Sequence, residues 1–546
     1  MLHENSDPGS RQTMRRKFLV CAAGSLFLAV FGFQVLPAEP GNKPLRQVID
    51  SEIKSAWQKE KITPAGRTGD TTFQRRIYLD LVGVIPTYEE AASFLKDTDA
   101  KKREKLIDKL LADPRFAVQQ AQVWDLVLFG RNPAGYEDTR KRPGFKKWLT
   151  EQWAKNEPYD RWVRKLLLAE EEGSELYYVQ FRNQPEEATV AVTRTFLGTQ
   201  LQCARCHDHP FEARTQREFF GMAGFFVRLV VQDGGGKRKF RVGEKSTGDV
   251  LFTGSVKEQK PGQKGVPVKP KFLGGKELEE PPVPKGFKEP VAKGKGDLPR
   301  PLFSRKEKLV NWLTAAENPY LAKAVANRVW AQYMGRGLVH PVDDLGEKNK
   351  PSHPELLKAL TEDIVARKFD LKGFIRELVN SETYQLADTG PIKDALPAWF
   401  ERARVRPLSA EELLASLGVA AGLGPEWSKK RGDTLEYFIR YFGQPTDGQG
   451  DFQGSVSEHL FLNNSDNIRI AVRPQKGNLA DWLLTAKVPV EEKVDRLFLS
   501  VLSRPPSVSE RQRFVQHLSG DAKMRQELVE EAIWVLMSCA EFRFNH

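Results

Sequence analysis

The sequence predicts a mainly α protein with two helical domains and a small β-rich insertion between them. Apolar residues recur at the three- and four-residue spacing of amphipathic helices throughout residues 45–231 and 301–546. Residues 234–300 lose this spacing and are rich in glycine, proline and lysine. At 546 residues the chain is also too long for a single hydrophobic core, so we expect more than one domain.

The first helical domain, residues 45–231, shows both helical periodicity and helix-start signals. Apolar residues repeat every three to four positions across residues 48–57. A Thr followed three residues later by Glu forms a capping box, which predicts a helix start. Two such boxes occur, Thr87–Glu90 and Thr215–Glu218. We expect a further helix to begin near Glu186 and to continue into Cys203.

The insertion combines short strands with an excess of positive charge. β-branched and aromatic residues predict strands at 240–242, 250–252 and 266–268. Residues 237–300 hold 16 Lys and Arg against 8 Asp and Glu. A solvated basic segment explains this excess better than polyanion binding does, and we recognise no nucleic-acid-binding motif elsewhere. No nucleic-acid partner is therefore expected.

The second helical domain, residues 301–546, continues the helical pattern to the end of the sequence. Ser352 and Glu355 predict a capped helix in which Pro354 occupies the first turn. Ser409 predicts another helix start, and residues 526–537 predict a late helix.

Residues 1–38 have the composition of an export signal. Three basic residues, 15–17, precede an apolar run from Phe18 to Phe33, and Ala38 is a small residue at a plausible cleavage point. An uncleaved anchor is the weaker alternative, because the run has fewer than the roughly 20 residues that span a bilayer. The paired arginines also resemble a twin-arginine signal. We expect export to the periplasm or cell envelope, with membrane contact only through this segment if it is uncleaved.

The clearest chemical motif is Cys203-Ala-Arg-Cys206-His207. On a helical turn, residues three and four apart share one face. Two thiols can therefore form thioethers with a haem while the adjacent imidazole reaches the iron. The motif predicts covalent haem c, with Cys203 and Cys206 as anchors and His207 as the iron ligand.

Three neighbouring residues are secondary candidates in the haem site. His209 is too close along the chain to reach the opposite face of the same iron, so we expect it to hydrogen-bond near the haem. Asp208 is a candidate to orient an imidazole. Met222 is a candidate for the distal iron ligand, although a core methionine explains its place in an apolar stripe better.

Metal binding without haem is the alternative interpretation of the motif. Zinc bound by Cys203, Cys206, His207 and His209, or a local disulfide, fits the same residue types. A second group of possible metal ligands consists of His340, Asp343, Asp344, Glu347 and His353. The sequence contains no nucleophile elbow, phosphate loop or dinucleotide fingerprint, so no catalytic residue is assigned.

Longer strings of residues resemble a known pair of domains. The segment Phe196-Leu-Gly-Thr-Gln-Leu-Gln-Cys-Ala-Arg-Cys-His-Asp-His-Pro-Phe-Glu resembles the planctomycete cytochrome-c-like domain of unknown function, the PSCyt type. Other strings resemble its usual partner, the PSD-type domain. They begin at Asn318, Asn327, Gly335, Pro341, Pro351, Arg406 and Glu541. The resemblance implies cytochrome character at Cys203, Cys206 and His207, and implies no known substrate.

These observations predict an exported c-type haem protein that transfers electrons or serves as a subunit of a redox enzyme. The expected partner is an unidentified protein redox partner or a co-exported enzyme. The alternative is a secreted scaffold protein without haem, in which the Cys/His residues hold zinc or a disulfide. A hydrolase that acts on extracellular polymer is a third hypothesis, supported only by the expected compartment.

Overall fold

Helices form most of the described structure and occur in two groups, one on each side of four short strands. The computed structural model describes residues 43–131, 141–208, 214–234, 239–253, 265–289, 298–390, 396–424, 427, 432–442 and 456–546. The predicted export segment, residues 1–38, lies outside these residues. The mainly α fold class predicted from the sequence is confirmed.

In the described residues, the first group contains ten α-helices. They are α1 (Leu45–Glu60), α2 (Asp70–Val82), α3 (Tyr88–Lys96), α4 (Lys102–Ala112), α5 (Pro114–Phe129), α6 (Pro143–Ala154), α7 (Tyr159–Leu168), α8 (Leu176–Val179), α9 (Pro185–Leu197) and α10 (Gln216–Ala223). Both predicted capping boxes are present, because Thr87 and Thr215 each accept a bond from the backbone N–H three residues on. Each box satisfies backbone donors that a helix start otherwise leaves without a partner.

Two antiparallel hairpins follow α10. Strands β1 (Leu229–Asp233) and β2 (Phe240–Glu244) pair with each other, as do β3 (Val250–Phe252) and β4 (Val266–Val268). The three predicted strands are confirmed. The β structure begins earlier than predicted, because β1 lies in a stretch that we assigned mainly to the first helical domain.

As far as the structure describes it, the second group contains thirteen α-helices and a last pair of strands. The helices are α11 (Arg305–Leu313), α12 (Leu321–Met334), α13 (Pro354–Ala366), α14 (Leu371–Asn380), α15 (Ala410–Ala420), α16 (Gly432–Phe442), α17 (Val456–Asn464), α18 (Asp466–Val472), α19 (Leu479–Thr485), α20 (Val490–Leu502), α21 (Val508–Leu518), α22 (Arg525–Ser538) and α23 (Ala540–Arg543). Strands β5 (Arg406–Pro407) and β6 (Phe544–Asn545) pair antiparallel. The predicted helix starts at Ser409 and near residue 526 are confirmed.

The predicted capping box at Ser352 and Glu355 is wrong. The residue that precedes α13 is His353, and its side chain makes no capping hydrogen bond. The Ser352 hydroxyl instead donates to the carbonyl oxygen of Leu338 at 3.2 Å. A tertiary contact therefore uses the hydroxyl that the local pattern assigned to the helix start.

Helix α1 packs against α13 and α14, so the beginning of the described chain contacts the second group of helices. The indole N–H of Trp57 donates to the carbonyl oxygen of Trp399 at 2.7 Å. One apolar core runs from Leu45 to Phe400 through both groups. A second core joins Leu79 of α2 to the helices after residue 408. The predicted division into domains stays a prediction from the sequence.

No helix in the described part of the chain combines the length and apolarity needed to cross a membrane.

Candidate functional site

The Cys203-x-x-Cys206-His207 motif begins with a short 3-10 turn on the protein surface. The turn spans Cys203–Arg205, and the Cys206 N–H donates to the Cys203 carbonyl oxygen at 3.4 Å. Cys203, Cys206 and His207 are exposed, and neither thiol is in a disulfide. Ala204 and the preceding Leu201 are fully buried. The apolar residues thus anchor the turn to the core while the three motif side chains remain accessible to solvent.

Helix α9 does not continue into the motif, contrary to the sequence-based expectation. It ends at Leu197, and Gly198 follows in the left-handed conformation with φ of 58°. The Gly198 carbonyl oxygen accepts a bond from the N–H of Leu345 at 2.7 Å. This contact with the second group of helices holds the segment between α9 and the cysteine turn.

Gly198 has a left-handed backbone, which strains any residue with a side chain, and crowded surroundings, so we expect Gly198→Ala to destabilise the protein strongly. A Cβ there would lie 2.5 Å from Cδ1 of Leu345. Gly477 is the matched control, because its φ is +83° and nothing lies within 4 Å of an added Cβ. Gly477→Ala should cost about 1–2 kcal/mol from the left-handed backbone alone. Gly198→Ala should cost a further 1–3 kcal/mol, roughly, from overpacking. Equal losses in urea unfolding would show that the Leu345 contact is unimportant.

Two hydrogen bonds connect the far side of the motif to α10. The Asp208 carboxylate accepts a bond from the Gln216 backbone N–H at 2.8 Å, at the first residue of the helix. The Gln216 side-chain amide donates to the carbonyl oxygen of Arg205 at 3.2 Å. A carboxylate is favoured at a helix N-terminus because the first backbone N–H groups have no partner within the helix. Asp208 therefore supports the turn through α10.

The imidazole of His207 is oriented by the main chain. Its Nδ1 lies 2.8 Å from the carbonyl oxygen of Asp208. A carbonyl oxygen only accepts, so Nδ1 carries the hydrogen in this bond and the neutral ring keeps its lone pair on Nε2. Histidine ligands to metals commonly have this arrangement, in which the second ring nitrogen donates to a carbonyl or carboxylate. Two free thiols and a histidine of this tautomer are the groups that a c-type haem requires: the thiols for covalent attachment and the imidazole for the iron.

Charges beside the turn come from Arg205 and the start of α9. The guanidinium of Arg205 pairs with Glu186 at 2.6 Å and with Glu187 at 2.8 Å. Its side chain is 41% exposed, so these pairs contribute little to stability. They hold Arg205, which lies between the two cysteines in the sequence, against the start of α9.

The other predicted haem-site residues are placed differently from the exposed motif. Met222 is fully buried in the apolar core, beside the equally buried Phe219 of α10. His209, which was predicted to hydrogen-bond near the haem or, in the alternative, to bind zinc, lies outside the described residues. In the described ranges, no three or more His, Cys, Asp or Glu side chains are close enough together to hold a metal ion.

The predicted second group of metal ligands is therefore not brought together. Asp343 accepts a bond from the Gln200 amide at 3.1 Å and lies 3.5 Å from Arg194. His353 packs instead against the rings of Trp399 and Phe400. The contacts of Asp343 attach the segment before the cysteine turn to the second group of helices. Sequence reasoning missed this role for Gln200 and Asp343, because no local pattern signals a contact between residues 143 positions apart.

Comparison with known families supports the predicted order of regions. Residues 48–230 match the model of a family described as "Protein of unknown function (DUF1549)", named PSCyt2. Residues 305–437 match the model of a family described as "Protein of unknown function (DUF1553)", named PSD1. The cysteine turn lies in the first region, and the Asp343 and Leu345 contacts come from the second. No curated protein and no solved structure matches the chain.

Proposed function

We propose that this chain is an exported c-type haem protein that transfers electrons or serves as a subunit of a redox enzyme. Cys203 and Cys206 would hold the haem through two thioether links, and Nε2 of His207 would bind the iron. The observation that carries the proposal is the combination of two exposed, free thiols with an imidazole whose Nδ1 hydrogen is held by the Asp208 carbonyl.

The haem supplies one-electron chemistry when it is bound. The buried side chains of Leu201 and Ala204 attach the turn to the core. The two thiols and the imidazole are exposed to solvent. The carbonyl of Asp208 holds the His207 ring and increases the basicity of Nε2. Exposure of the motif fits electron exchange with another protein at the surface. The proposed partner is a protein redox partner or a co-exported enzyme.

The predicted export signal supports this proposal independently of the motif. Haem c is attached outside the cytoplasmic membrane, and residues 1–38 have the pattern of an export signal. The proposed location is therefore the periplasm or cell envelope. Haem attachment and location are tested together by expressing the full chain in a host that makes c-type cytochromes.

We expect the exported protein to give a pyridine haemochrome spectrum with one haem per chain that remains attached after denaturation. Cys203→Ala and Cys206→Ala should each remove one of the two covalent links, and the double variant should lose covalent haem completely. Cys539→Ala is the matched control, because that thiol is part-buried and donates to the Leu536 carbonyl oxygen far from the motif in sequence. It should keep full haem content.

A colourless, folded and exported protein with free thiols at Cys203 and Cys206 would contradict the proposal. Stoichiometric zinc without iron would also contradict it and would support the alternative scaffold protein. Loss of haem in the Cys539 control would show that the assay reports folding instead of attachment.

A further inference from the structure

We infer that a cavity between the start of α2 and the C-terminal elements binds a neutral, hydroxyl-rich small molecule of the mono- or disaccharide class. The cavity has a volume of about 450 Å³, within the 300–1,000 Å³, roughly, of typical ligand sites. It is lined by residues from α2, α20, α23, β6 and the segments that contain Asp388 and Val405. This inference does not rest on the proposed haem.

Several polar groups that line the cavity have spare hydrogen-bonding capacity. Thr71 and Thr72, in the first turn of α2, and Asp388 make no side-chain hydrogen bond or ion pair with another described residue. Hydroxyls both donate and accept, and a carboxylate accepts. This mixture suits a ligand that carries several hydroxyl groups.

The positive charges around the cavity are already engaged. Arg504 pairs with Glu510 and Glu541, at 2.8 and 2.6 Å. Nη2 of Arg75 donates to the carbonyl oxygen of Phe542 at 2.8 Å and to that of Glu541 at 3.3 Å. Arg75 therefore lacks the free two-pronged donor that binds carboxylates and phosphates. An anionic ligand would also approach the carboxylate of Asp388, which has no ion-pair partner among the described residues.

The imidazole of His546 adds a neutral polar group. Burial lowers the pKa of His546, and the positive charge of Arg75 lowers it further. The ring is therefore uncharged at pH 7. Its Nδ1 lies 3.4 Å from the Phe544 carbonyl oxygen, so the ring offers Nε2 as an acceptor. The lining thus contains no cation that is free to select an anion.

Apolar side chains complete the lining. Leu502 is buried, Val405 is exposed at the rim, and Phe544 is partly exposed. An aromatic ring provides a flat apolar surface, which can pack against the C–H face of a sugar ring. Apolar walls with a few unpaired polar groups are the usual composition of a small-molecule site.

Saturation-transfer NMR on the full chain tests this inference. The probes are glucose, galactose, mannose, xylose, maltose and cellobiose, with sulfate and glucuronate as anionic competitors. We expect at least one neutral sugar to bind. Asp388→Asn should weaken the binding of that sugar about tenfold, which corresponds to about 1.4 kcal/mol of binding free energy. Asp466→Asn is the matched control, because that side chain is 88% exposed and outside the cavity. It should leave binding unchanged.

Thr72→Val and Thr72→Ser separate loss of a hydroxyl from loss of shape. We expect Thr72→Val to weaken sugar binding and Thr72→Ser to retain it. Circular dichroism checks that each variant is folded. The inference is overturned if none of the six sugars binds, if Asp388→Asn binds as tightly as the unaltered protein, or if sulfate or glucuronate is preferred.

Discussion

Replacing Arg406 by Met is expected to lower the free energy of unfolding by about 3 kcal/mol. Arg406 bonds Glu412 through two nitrogens, at 2.8 and 3.0 Å, and Asp80 at 3.0 Å. The side chains of these carboxylates are only 4% and 6% exposed. The substitution would leave two neighbouring negative charges buried without their cation. The loss lies at the lower end of the range for a broken buried pair, because the Arg406 side chain is 32% exposed.

The Arg406 cluster also joins distant parts of the chain. Asp80 of α2 accepts bonds from the Tyr384 hydroxyl and the Asn545 amide, both at 2.7 Å. Burial raises the pKa of Asp80 although Arg406 opposes the shift. Burial alone would also raise the pKa of Glu412, but Arg406 reverses the effect and lowers it. The guanidinium is therefore the group that keeps Glu412 ionised.

Urea unfolding at pH 7 measures this prediction, with Arg469→Met as the matched control. Arg469 is 58% exposed and its ion pair with Asp466 is at 3.8 Å, so the control should change stability by less than about 0.5 kcal/mol. Because Glu412 has a lowered pKa, its pairing with Arg406 stabilises the folded protein above about pH 4.5. This stabilisation is lost as the pH falls through the pKa of Glu412 in the folded protein. The deficit of Arg406→Met should shrink in acid. A deficit below about 1 kcal/mol at pH 7 would contradict the argument.

Lowering the pH from 6.5 to 4 is expected to remove about 3 kcal/mol of stability, because His353 is protonated in the unfolded chain over this range and stays neutral in the folded protein. The residue is 6% exposed and packs against Trp399 and Phe400. Burial lowers the pKa of His353 from 6.5 to about 4. Between these values the unfolded chain binds a proton that the folded chain does not. Stability is therefore complete above pH 6.5, decreases as the pH falls and becomes level, for this residue, below about 4.

The measurement is the free energy of unfolding as a function of pH for the unaltered protein and for His353→Phe. The phenyl ring preserves an aromatic side chain and removes the titrating group, so the contribution between pH 6.5 and 4 should disappear. Ser352→Ala is the control, because it removes the 3.0 Å partner of Nδ1 and retains the imidazole. Its pH dependence should persist. Identical pH profiles for His353→Phe and the unaltered protein would assign the acid sensitivity to other groups.

Local sequence signals predicted much of the secondary structure because they depend on residues a few positions apart. The capping boxes at Thr87, Thr215 and Ser409 satisfy donors within one helical turn. The spacing of Cys203, Cys206 and His207 predicted one helical turn for the whole motif, and the structure has a 3-10 turn at Cys203–Arg205, with His207 beyond it. The family matches confirm the order of the two regions that the longer strings of residues indicated.

Long-range contacts account for most of what the sequence analysis did not predict. The end of α9 is an exception, because the left-handed Gly198 at its C-terminus is a local signal that was missed. The hydroxyl of Ser352, in contrast, is used by the distant Leu338 carbonyl. Likewise, the Arg406–Asp80 pair joins residues 326 positions apart. Side-chain spacing along the sequence specifies helices, strands and a possible haem turn, since each forms from near neighbours. Which surfaces meet, which charges are buried and where a cavity remains depend on packing between distant segments, which has no counterpart in local spacing.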